Sequence, residues 1–388
     1  MERTRSEDRS GKVVCQPPDS VTRAVTVAGT LATMAVLLER VRPTHRSLDA
    51  VVRQVERYPR LRYMGSKYEV AKHLIDVFDQ LSFETVLDAF SGSGVIGYAL
   101  KVMGKTVTTN DFLSFPATVA RATIENPGVR LTPTEVELVL GPNIDGRDFI
   151  QRTFTGLYFP DEDHAFLDSA WSHIDLLPAY KRDIALAALA LAAARKQPRG
   201  VFTVSDFRYD DGRKNLRIPL RDQFVQTVEA FNSVAFDNGR PNRALCGDVF
   251  AIDPADYDAV YLDPPYAPPT DDNDYLRRYH FLEGLSVYWR GQQIMEHTKT
   301  KKLPKRFTPF AYKRTIRDAF RELFSRFRNN TIVLSYSSNS IPNEQELYEL
   351  LRKEKAEVEV FAIPHRYSFG THSAALRREA HEYIFVAR

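Results

Sequence analysis

The sequence predicts an α/β protein built on a doubly wound, Rossmann-like sheet, with a mainly helical domain inserted into that sheet. A strand-like segment (Thr85–Asp88) enters a glycine-rich turn, and a helix-like segment (95–103) and a second strand (105–109) follow. This order of strand, turn, helix and strand opens a doubly wound sheet. The strand rhythm disappears between residues 121 and 240 and returns at Ala244. We therefore expect the intervening residues to form a separate domain.

Four later segments complete the predicted sheet. They cover residues 258–262, 331–336, 356–363 and 382–386, and each is a short, largely apolar run of the kind that forms strands. The last two segments are close enough in sequence to pair as a terminal antiparallel β-hairpin. The sheet domain is accordingly predicted to comprise residues 58–120 and 241–388.

The inserted domain, residues 121–240, is predicted to be helical with one β-hairpin. Residues 182–195 form an alanine-rich helix, and residues 202–220 contain two short strands that flank Asp211-Gly212, a pair typical of hairpin turns. Residues 1–57 open polar and charged and carry no chemical motif. We interpret them as an N-terminal extension that is partly disordered.

Composition limits the class of protein. The chain has 388 residues, 43% hydrophobic and 27% charged, which is enough for two domains with their own cores. Its net charge of +3 is too mild to establish a nucleic-acid partner. The two cysteines, Cys15 and Cys246, exclude a disulfide framework and a cysteine metal site, and favour the cytoplasm. The longest apolar run, residues 24–38, is shorter than the about 20 residues of a membrane helix, so we expect no membrane span. We also expect no bound metal.

The segment Asp263-Pro264-Pro265-Tyr266 is the most informative part of the chain. An apolar strand stops there at an acid, and two prolines fix their own φ angles and hold the preceding residue extended. A rigid backbone therefore follows Asp263 at the carboxyl edge of the sheet, where open α/β sheets bind ligands. A carboxylate, fixed carbonyl groups and an aromatic ring suit a planar amine. The alternative is a proline-stiffened turn with a surface acid.

The glycine-rich turn after the first strand predicts a second ligand contact. It includes Asp88, Phe90, Ser91, Gly92 and Gly94, and the two glycines let the backbone approach a ligand closely. With the glycine at position 97 the spacing is G-x-G-x-x-G, so this loop alone leaves a dinucleotide site open. A phosphate loop is excluded because no Gly-Lys-Ser/Thr follows. An acid before the turn favours a ligand with a positive amino group over a pyrophosphate.

A second acid specifies the ligand further. Asp111 ends the next predicted strand, where an acid commonly hydrogen-bonds ribose hydroxyls. A nucleoside that carries an amino acid satisfies both Asp88 and Asp111, and S-adenosylmethionine is such a molecule. The sequence therefore predicts S-adenosylmethionine as the cofactor.

Three further residues are candidates for cofactor contact. Tyr63 and Lys67 precede the first helix of the sheet domain and offer a ring and a cation. Asp248 ends the strand before the Asp-Pro-Pro-Tyr segment, where its carboxylate could accept from the adenine amino group of the cofactor. The alternatives are a solvated lysine at position 67 and a turn acid at position 248.

Taken in order, these motifs resemble the Dam-like, class alpha adenine-specific DNA methyltransferases. The chain has Gly-Ser-Lys at 65–67, Phe-Ser-Gly-Ser-Gly at 90–94, Asp111, Gly-Asp-Val at 247–249 and Asp-Pro-Pro-Tyr at 263–266. The resemblance implies a site-specific DNA adenine-N6 methyltransferase that acts on a flipped-out adenine in double-stranded DNA. We expect the protein to be the modification half of a restriction-modification pair, with a cognate restriction endonuclease, or a solitary relative of such enzymes.

The chemistry expected of such a site needs few groups. An exocyclic amine is a poor nucleophile because its lone pair is conjugated into the ring. Asp263 and the carbonyl of Pro264 could accept its two hydrogens and direct the lone pair at the sulfonium methyl, which is catalysis by orientation and electrostatics. Pro265 and Tyr266 complete the catalytic segment, and Tyr266 is the expected platform for the flipped base. Methylation of a pyrimidine carbon would need a nucleophilic cysteine, and neither cysteine lies in this loop.

DNA contacts are expected from two basic regions. The turn of the predicted hairpin offers a compact set of donors for base edges in the major groove, and the resemblance places this hairpin in DNA. The candidate DNA-binding residues are Arg208, Tyr209, Arg213, Lys214, Asn215 and Arg217. Residues 299–317 hold eight cations and no acid among aromatic residues, which suits phosphate contacts. The alternatives are a solvated hairpin tip and an unengaged basic loop.

Two other functions stay open at this point. One is methylation of the exocyclic amine of cytosine, which Asp rather than Ser before Pro-Pro-Tyr disfavours. The other is a catalytically silent DNA-binding protein on the same scaffold, against which the intact Asp263–Tyr266 segment argues.

Overall fold

The structure, a computed structural model, describes residues 47–203, 210, 212–267, 274–366 and 379–388. Residues 1–46 of the predicted extension lie outside the described residues, and so do Arg208, Tyr209 and Asp211. The remainder of the extension forms helix α1 (Leu48–Glu56), whose Val51 and Val55 are buried in the same core as the sheet. The folded core therefore begins before residue 57, the predicted end of the N-terminal extension.

Seven strands within the described residues form one sheet, in the order β3-β2-β1-β4-β5-β7-β6. The pairs from β3 to β5 are parallel, whereas β7 runs antiparallel to both β5 and β6. The predicted doubly wound sheet with a terminal antiparallel hairpin is thus confirmed. The strands are β1 (Thr85–Asp88), β2 (Thr106–Asp111), β3 (Arg243–Cys246), β4 (Ala259–Leu262), β5 (Thr331–Ser337), β6 (Val358–Arg366) and β7 (Glu379–Ala387).

Helices connect and cover the strands. Those of the sheet domain are α2 (Ala71–Asp79), α3 (Val95–Val102), α4 (Ser114–Ala120), α10 (Tyr275–Val287), α11 (Ile316–Arg326) and α12 (Glu344–Glu354). Those of the insertion are α5 (Pro133–Val139), α6 (Phe149–Phe154), α7 (Asp161–Ile174), α8 (Ala179–Arg195) and α9 (Leu220–Val234). None of the helices in these described ranges is long and apolar enough to cross a membrane.

The two faces of the sheet bury different helices, because successive side chains of a strand point to opposite sides. Val86 of β1 packs in the core formed with α1, α2 and α3. Its neighbour Leu87 packs on the other face, in the core formed with α11 and α12. Two-sided burial explains why β1 and β4 carry apolar residues at consecutive positions.

The helices of the insertion pack in one core together with part of α4, and α8 contributes many of its residues. This helix packs against α4, α9 and α10, and its alanines from Ala185 to Ala194 are buried. Alanine has no atoms beyond Cβ, so neighbouring helices can approach the backbone of α8: Thr227 Oγ1 on α9 donates to the Ala188 carbonyl at 3.0 Å. Part of α10, including Phe281 and Leu285, belongs to this core as well.

The prediction of a second strand in the 202–220 hairpin is wrong. Lys214–Leu216 forms a 3₁₀ turn, and α9 begins at Leu220 directly after Pro219. The side-chain amide of Gln223 on α9 donates to the carbonyls of Asn215, at 2.7 Å, and Ile218, at 3.1 Å. These carbonyls are thereby occupied by a side chain, so they do not pair in a strand ladder.

Replacing Gly94 by alanine should destabilise the protein more than the same change at Gly104. Both glycines have positive φ, +79° and +84°, so both variants incur about 1–2 kcal/mol of left-handed backbone strain. A methyl group at Gly94 would lie 2.5 Å from the buried hydroxyl of Tyr58, whereas nothing lies within 4 Å at Gly104. We expect Gly94→Ala to lose about 1–3 kcal/mol more free energy of unfolding. Urea titrations of the two variants would measure the difference, and equal losses would contradict this account of the turn.

Candidate active site

A pocket with about 920 Å³ of empty space, including its mouth, opens at the carboxyl edge of β1, β2 and β4. The register that pairs Asp88 with Tyr261 across β1 and β4 brings the glycine-rich turn and the proline segment to this edge together. The predicted site residues that line the pocket are Tyr63, Lys67, Asp88, Phe90, Ser91, Gly92, Asp111, Asp263, Pro264, Pro265 and Tyr266. Gly94 does not line it, but its left-handed conformation starts α3 directly after the turn.

Asp88 is the most unusual of these groups. It is 1% exposed, and neither of its carboxylate oxygens completes a hydrogen bond within the structure. Burial, together with the charges of Asp263 and Asp111, raises the pKa of Asp88 to about 8, and the backbone N–H groups of Gly97 and Phe90 only partly oppose this. Buried carboxylate oxygens without partners are costly. A cationic ligand in the pocket would satisfy them.

Asp111 holds the glycine-rich turn in place. Its Oδ2 accepts from the Gly92 N–H at 2.9 Å, and its Oδ1 accepts from the Leu113 N–H at 2.9 Å. Burial raises the pKa of Asp111 to about 6 against these two hydrogen bonds. A carboxylate has about four acceptor sites. Asp111 therefore keeps capacity for hydroxyl donors of a ligand.

Asp263 is fixed by a lysine and a tyrosine. The Nζ atom of Lys67 lies 2.7 Å from Asp263 Oδ1, and the hydroxyl of Tyr266 donates to the same oxygen at 3.0 Å. Lys67 is 5% exposed, so the solvated-lysine alternative is wrong. Both contacts fall on Oδ1, which leaves Oδ2 to accept from a bound amine.

Glu382 on β7 belongs to the same group, and the sequence interpretation missed it. It is 2% exposed, accepts from the Tyr266 hydroxyl at 2.6 Å, and lies 3.5 Å from Lys67 Nζ. Burial, together with the charge of Glu382, raises the pKa of Asp263 to about 6, whereas Lys67 opposes this rise. The available signal was an acid directly before the apolar run that ends the chain.

Lys67 is the only cation that the structure pairs with these two carboxylates within its described ranges. Burial alone would lower the pKa of Lys67, but Asp263 and Glu382 raise it above its ordinary value. Its Nζ also donates to the Gly65 carbonyl at 2.8 Å and lies 4.9 Å from the centre of the Tyr266 ring. Lys67 therefore stays charged and keeps Asp263 ionised at neutral pH.

Aromatic rings form two walls of the pocket. Tyr63 stacks on Tyr279 with ring centres 4.9 Å apart, and the Tyr279 hydroxyl accepts from the Met64 N–H at 2.7 Å. Phe90 packs edge-on against Phe310 at 5.2 Å. Tyr279 itself is fully buried.

Asp248 is not brought into the pocket. It is exposed, and its Oδ1 accepts from the Phe250 N–H at 3.0 Å, which caps a 3₁₀ turn after β3. These contacts fit the turn-acid alternative. The strand before Asp248, β3, nevertheless ends beside β2, where the Gly247 N–H donates to the Asp111 carbonyl at 2.9 Å.

The candidate DNA-binding residues have different surroundings. Lys214 and Arg217 are exposed, and Arg217 forms an ion pair with Asp210 at 3.0 Å. Asn215 is partly buried. Arg213 is partly buried and donates to the carbonyls of Arg195 and Gln197, both at 3.2 Å, at the end of α8. Arg213 thus has a structural role that the sequence did not reveal.

The basic segment 299–317 is partly tied to the protein. Arg306 lines the pocket, pairs with the fully buried Glu283 at 2.8 Å, and stacks over Phe112 at 4.7 Å. Glu283 in turn accepts from the backbone N–H groups that start α4. No cluster of three or more metal-ligating side chains occurs among the described residues.

The fold and the pocket define a Rossmann-like methyltransferase, and the comparisons with known proteins specify its class. Residues 63–148 match the family described as D12 class N6 adenine-specific DNA methyltransferase. The match covers the glycine-rich turn and Asp111. The chain is similar to this family over that segment, and its reaction is methylation of adenine N6 in DNA. The predicted family and enzyme class are thus confirmed.

Curated relatives extend the similarity beyond the matched segment. Type II methyltransferase M2.HphI of Haemophilus parahaemolyticus is 28% identical over 80% of this chain and 93% of its own length. Modification methylase StsI of Streptococcus sanguinis is 24% identical over 84% of this chain and 51% of the relative. Type II methyltransferase M.FokI of Planomicrobium okeanokoites is 23% identical over 84% of this chain and 52% of its own length. The chain spans nearly all of the first relative and about half of the other two.

Proposed function

We propose that this adenine-N6 methyltransferase uses S-adenosylmethionine to modify a flipped-out adenine at a specific site in double-stranded DNA. The observation that carries the proposal is one pocket with two differently held carboxylates, Asp88 without hydrogen-bond partners and Asp263 fixed by Lys67 and Tyr266. The first suits a cationic cofactor, and the second suits an amine substrate.

The residues of the glycine-rich turn fit the amino acid and ribose parts of S-adenosylmethionine. The unpartnered oxygens of Asp88 would accept from the ammonium group, and Asp111 would accept from ribose hydroxyls. Tyr63 and Phe90 offer apolar ring surface beside them. Asp248 lies outside the pocket lining, after the neighbouring strand β3, and it would approach the adenine end of the cofactor from there. When bound, the cofactor supplies an electrophilic methyl group on a sulfonium sulfur.

Asp263 orients the adenine amine. Its Oδ2 and the carbonyl of Pro264 would accept the two amino hydrogens, so the nitrogen lone pair points away from them and towards the methyl donor. As the new N–CH₃ bond forms, the bond from the sulfur to the methyl group would break and leave a neutral thioether, and the adenine nitrogen would become cationic and have to lose one proton. Asp263 is the nearest acceptor, and its pKa of about 6 lets it take a proton transiently and pass it to solvent.

Tyr266 would support the flipped base from one face. Its hydroxyl is held by Asp263 and Glu382, and its ring packs edge-on against Tyr336 with centres 4.8 Å apart. A ring fixed at both ends loses little freedom when a base stacks on it. Stacking of this kind contributes about 1–3 kcal/mol per base, against a flipping cost of a few kcal/mol.

The insertion, residues 121–240, would read the DNA sequence, and the sheet domain would hold the cofactor. The exposed Lys214 and Arg217 are the described candidates for DNA contact near the predicted hairpin turn. The names of the relatives, Type II methyltransferase and modification methylase, support a place in a restriction-modification system with a partner endonuclease.

Tritium transfer tests the proposed function. The purified protein would be incubated with methyl-labelled S-adenosylmethionine and duplex DNA, and the DNA would be digested to nucleosides. We expect label in 6-methyladenine at a defined sequence. Label in 4-methylcytosine, or no label in DNA, would contradict the proposal.

Lys214→Ala should reduce the salt dependence of DNA binding, whereas Arg213→Ala should not. An exposed lysine that contacts one phosphate contributes about 0.9 to the slope of log K against log salt. Arg213 instead donates to two backbone carbonyls, so its loss should lower the free energy of unfolding. Fluorescence anisotropy across a salt series and urea unfolding separate the two effects. An unchanged slope for Lys214→Ala would remove Lys214 from phosphate binding.

Glu382→Gln should extend activity to lower pH. The charged and titratable groups that act on Asp263 are Lys67, Glu382, Asp88 and the Tyr266 hydroxyl, and Glu382 raises the pKa of Asp263. Glutamine keeps the acceptor for Tyr266 but removes the charge, so the pKa of Asp263 falls and Asp263 stays ionised at lower pH. The acidic limb of kcat/KM for DNA reports this pKa. A limb that stays in place or moves to higher pH would refute the coupling.

A further inference from the structure

Phe307 stands out on the surface of the sheet domain. Its side chain is 64% exposed, although it is a large apolar group. Its neighbours on both sides, Arg306 and Thr308, line the active-site pocket. Phe307 therefore lies at the rim of the pocket.

The ring of Phe307 is held in a defined orientation. It stacks on Tyr312 with ring centres 5.5 Å apart and an angle of 16° between the planes. The Nζ atom of Lys305 lies 4.7 Å from the centre of the Tyr312 ring. Two parallel rings with a cation beside them form a surface on which another flat ring can stack.

The backbone beneath Phe307 is anchored to the protein. Arg306 pairs with Glu283, which is fully buried, and covers the ring of Phe112. On the other side, Phe310 is buried against Phe90 of the glycine-rich turn. The exposed ring is thus fixed relative to the pocket.

We propose that Phe307 stacks on a base of the DNA beside the flipped adenine and thereby stabilises the opened duplex. The charge of the segment selects DNA as the partner, because residues 299–317 hold eight cations and no acid. Lysines and arginines would hold the phosphates, and the ring would fill the space that the extruded base vacates or cover its unpaired partner. This inference rests on the proposed function, since it takes the flipped adenine as the substrate.

The test compares Phe307→Ala with Phe307→Trp in single-turnover methyl transfer. Two duplexes are used, one fully paired and one that lacks the base opposite the target adenine. We expect Phe307→Ala to slow transfer to the paired duplex about 10-fold or more, as expected for the loss of one stacked base. The difference from the unmodified protein should shrink on the second duplex, where flipping is easier. Phe307→Trp should retain most of the activity.

Controls separate stacking from folding and from the proposed function. Asp253→Ala removes an exposed side chain of the sheet domain outside the pocket lining and should have no effect. Cofactor affinity and thermal stability of Phe307→Ala should match the unmodified protein. Full activity of Phe307→Ala, or an equal loss on both duplexes, would overturn the stacking role. Failure of the unmodified protein to methylate either duplex would instead overturn the proposed function.

Discussion

Replacing Asp263 by alanine is expected to reduce methyl transfer at least about 100-fold, the range typical of a positioned acid or base. The variant loses the acceptor that orients the adenine amine and takes up its proton. It should still fold, because Lys67 keeps the Gly65 carbonyl at 2.8 Å and Glu382 at 3.5 Å as partners. The rate of transfer at saturating cofactor and DNA measures the loss.

Cofactor binding separates this result from general damage. Asp263 raises the pKa of Asp88, so its removal should leave cofactor affinity unchanged or higher. Asp253→Ala is a matched control: Asp253 also precedes a proline and caps a 3₁₀ turn, but it is exposed and outside the pocket lining. If Asp263→Ala kept substantial activity, Asp263 would have no part in the mechanism.

Asp88→Asn is expected to abolish cofactor binding and to stabilise the cofactor-free protein. The pKa of Asp88 is about 8 in the folded protein, against an ordinary value of 3.8. An acid whose pKa rises on folding makes the folded state less stable as pH increases between these two values. Each pKa unit corresponds to about 1.4 kcal/mol, so the buried charge costs a few kcal/mol above pH 8.

Unfolding measured across pH tests the sign of this effect. Asparagine carries no charge, so the stability gain of Asp88→Asn should be small near pH 4 and grow up to about pH 8. Calorimetric titration with S-adenosylmethionine measures the lost binding. Normal cofactor binding by the variant would show that Asp88 does not hold the ammonium group, and lower stability at every pH would show that its buried charge does not destabilise the folded protein.

The sequence predicted the sheet and three acids of the site because these are local features. Asp88, Asp111 and Asp263 each end or directly follow a strand, and parallel strands bring their carboxyl ends to one edge. The strands of the closing hairpin were also visible as apolar runs. Such signals need only the order of residues along the chain.

Contacts between distant segments were not predictable in this way. The pairing of Lys67 with Asp263 depends on how the segment before α2 crosses the sheet edge. Glu382 joins them only because β7 inserts antiparallel beside β5, opposite Ser337. The prediction of the second hairpin strand was wrong for a similar reason, since the Gln223 side chain of α9 donates hydrogen bonds to carbonyls of the preceding turn.

The most direct test of the account is the structure of the protein with duplex DNA and sinefungin, an analogue in which an amine replaces the sulfonium methyl. We predict the α-ammonium group of the analogue beside Asp88, and its second amine near an adenine whose amino nitrogen lies about 3 Å from Asp263 Oδ2. The account would be contradicted by an analogue bound away from the Phe90–Gly94 turn, or by a target base that does not reach Asp263.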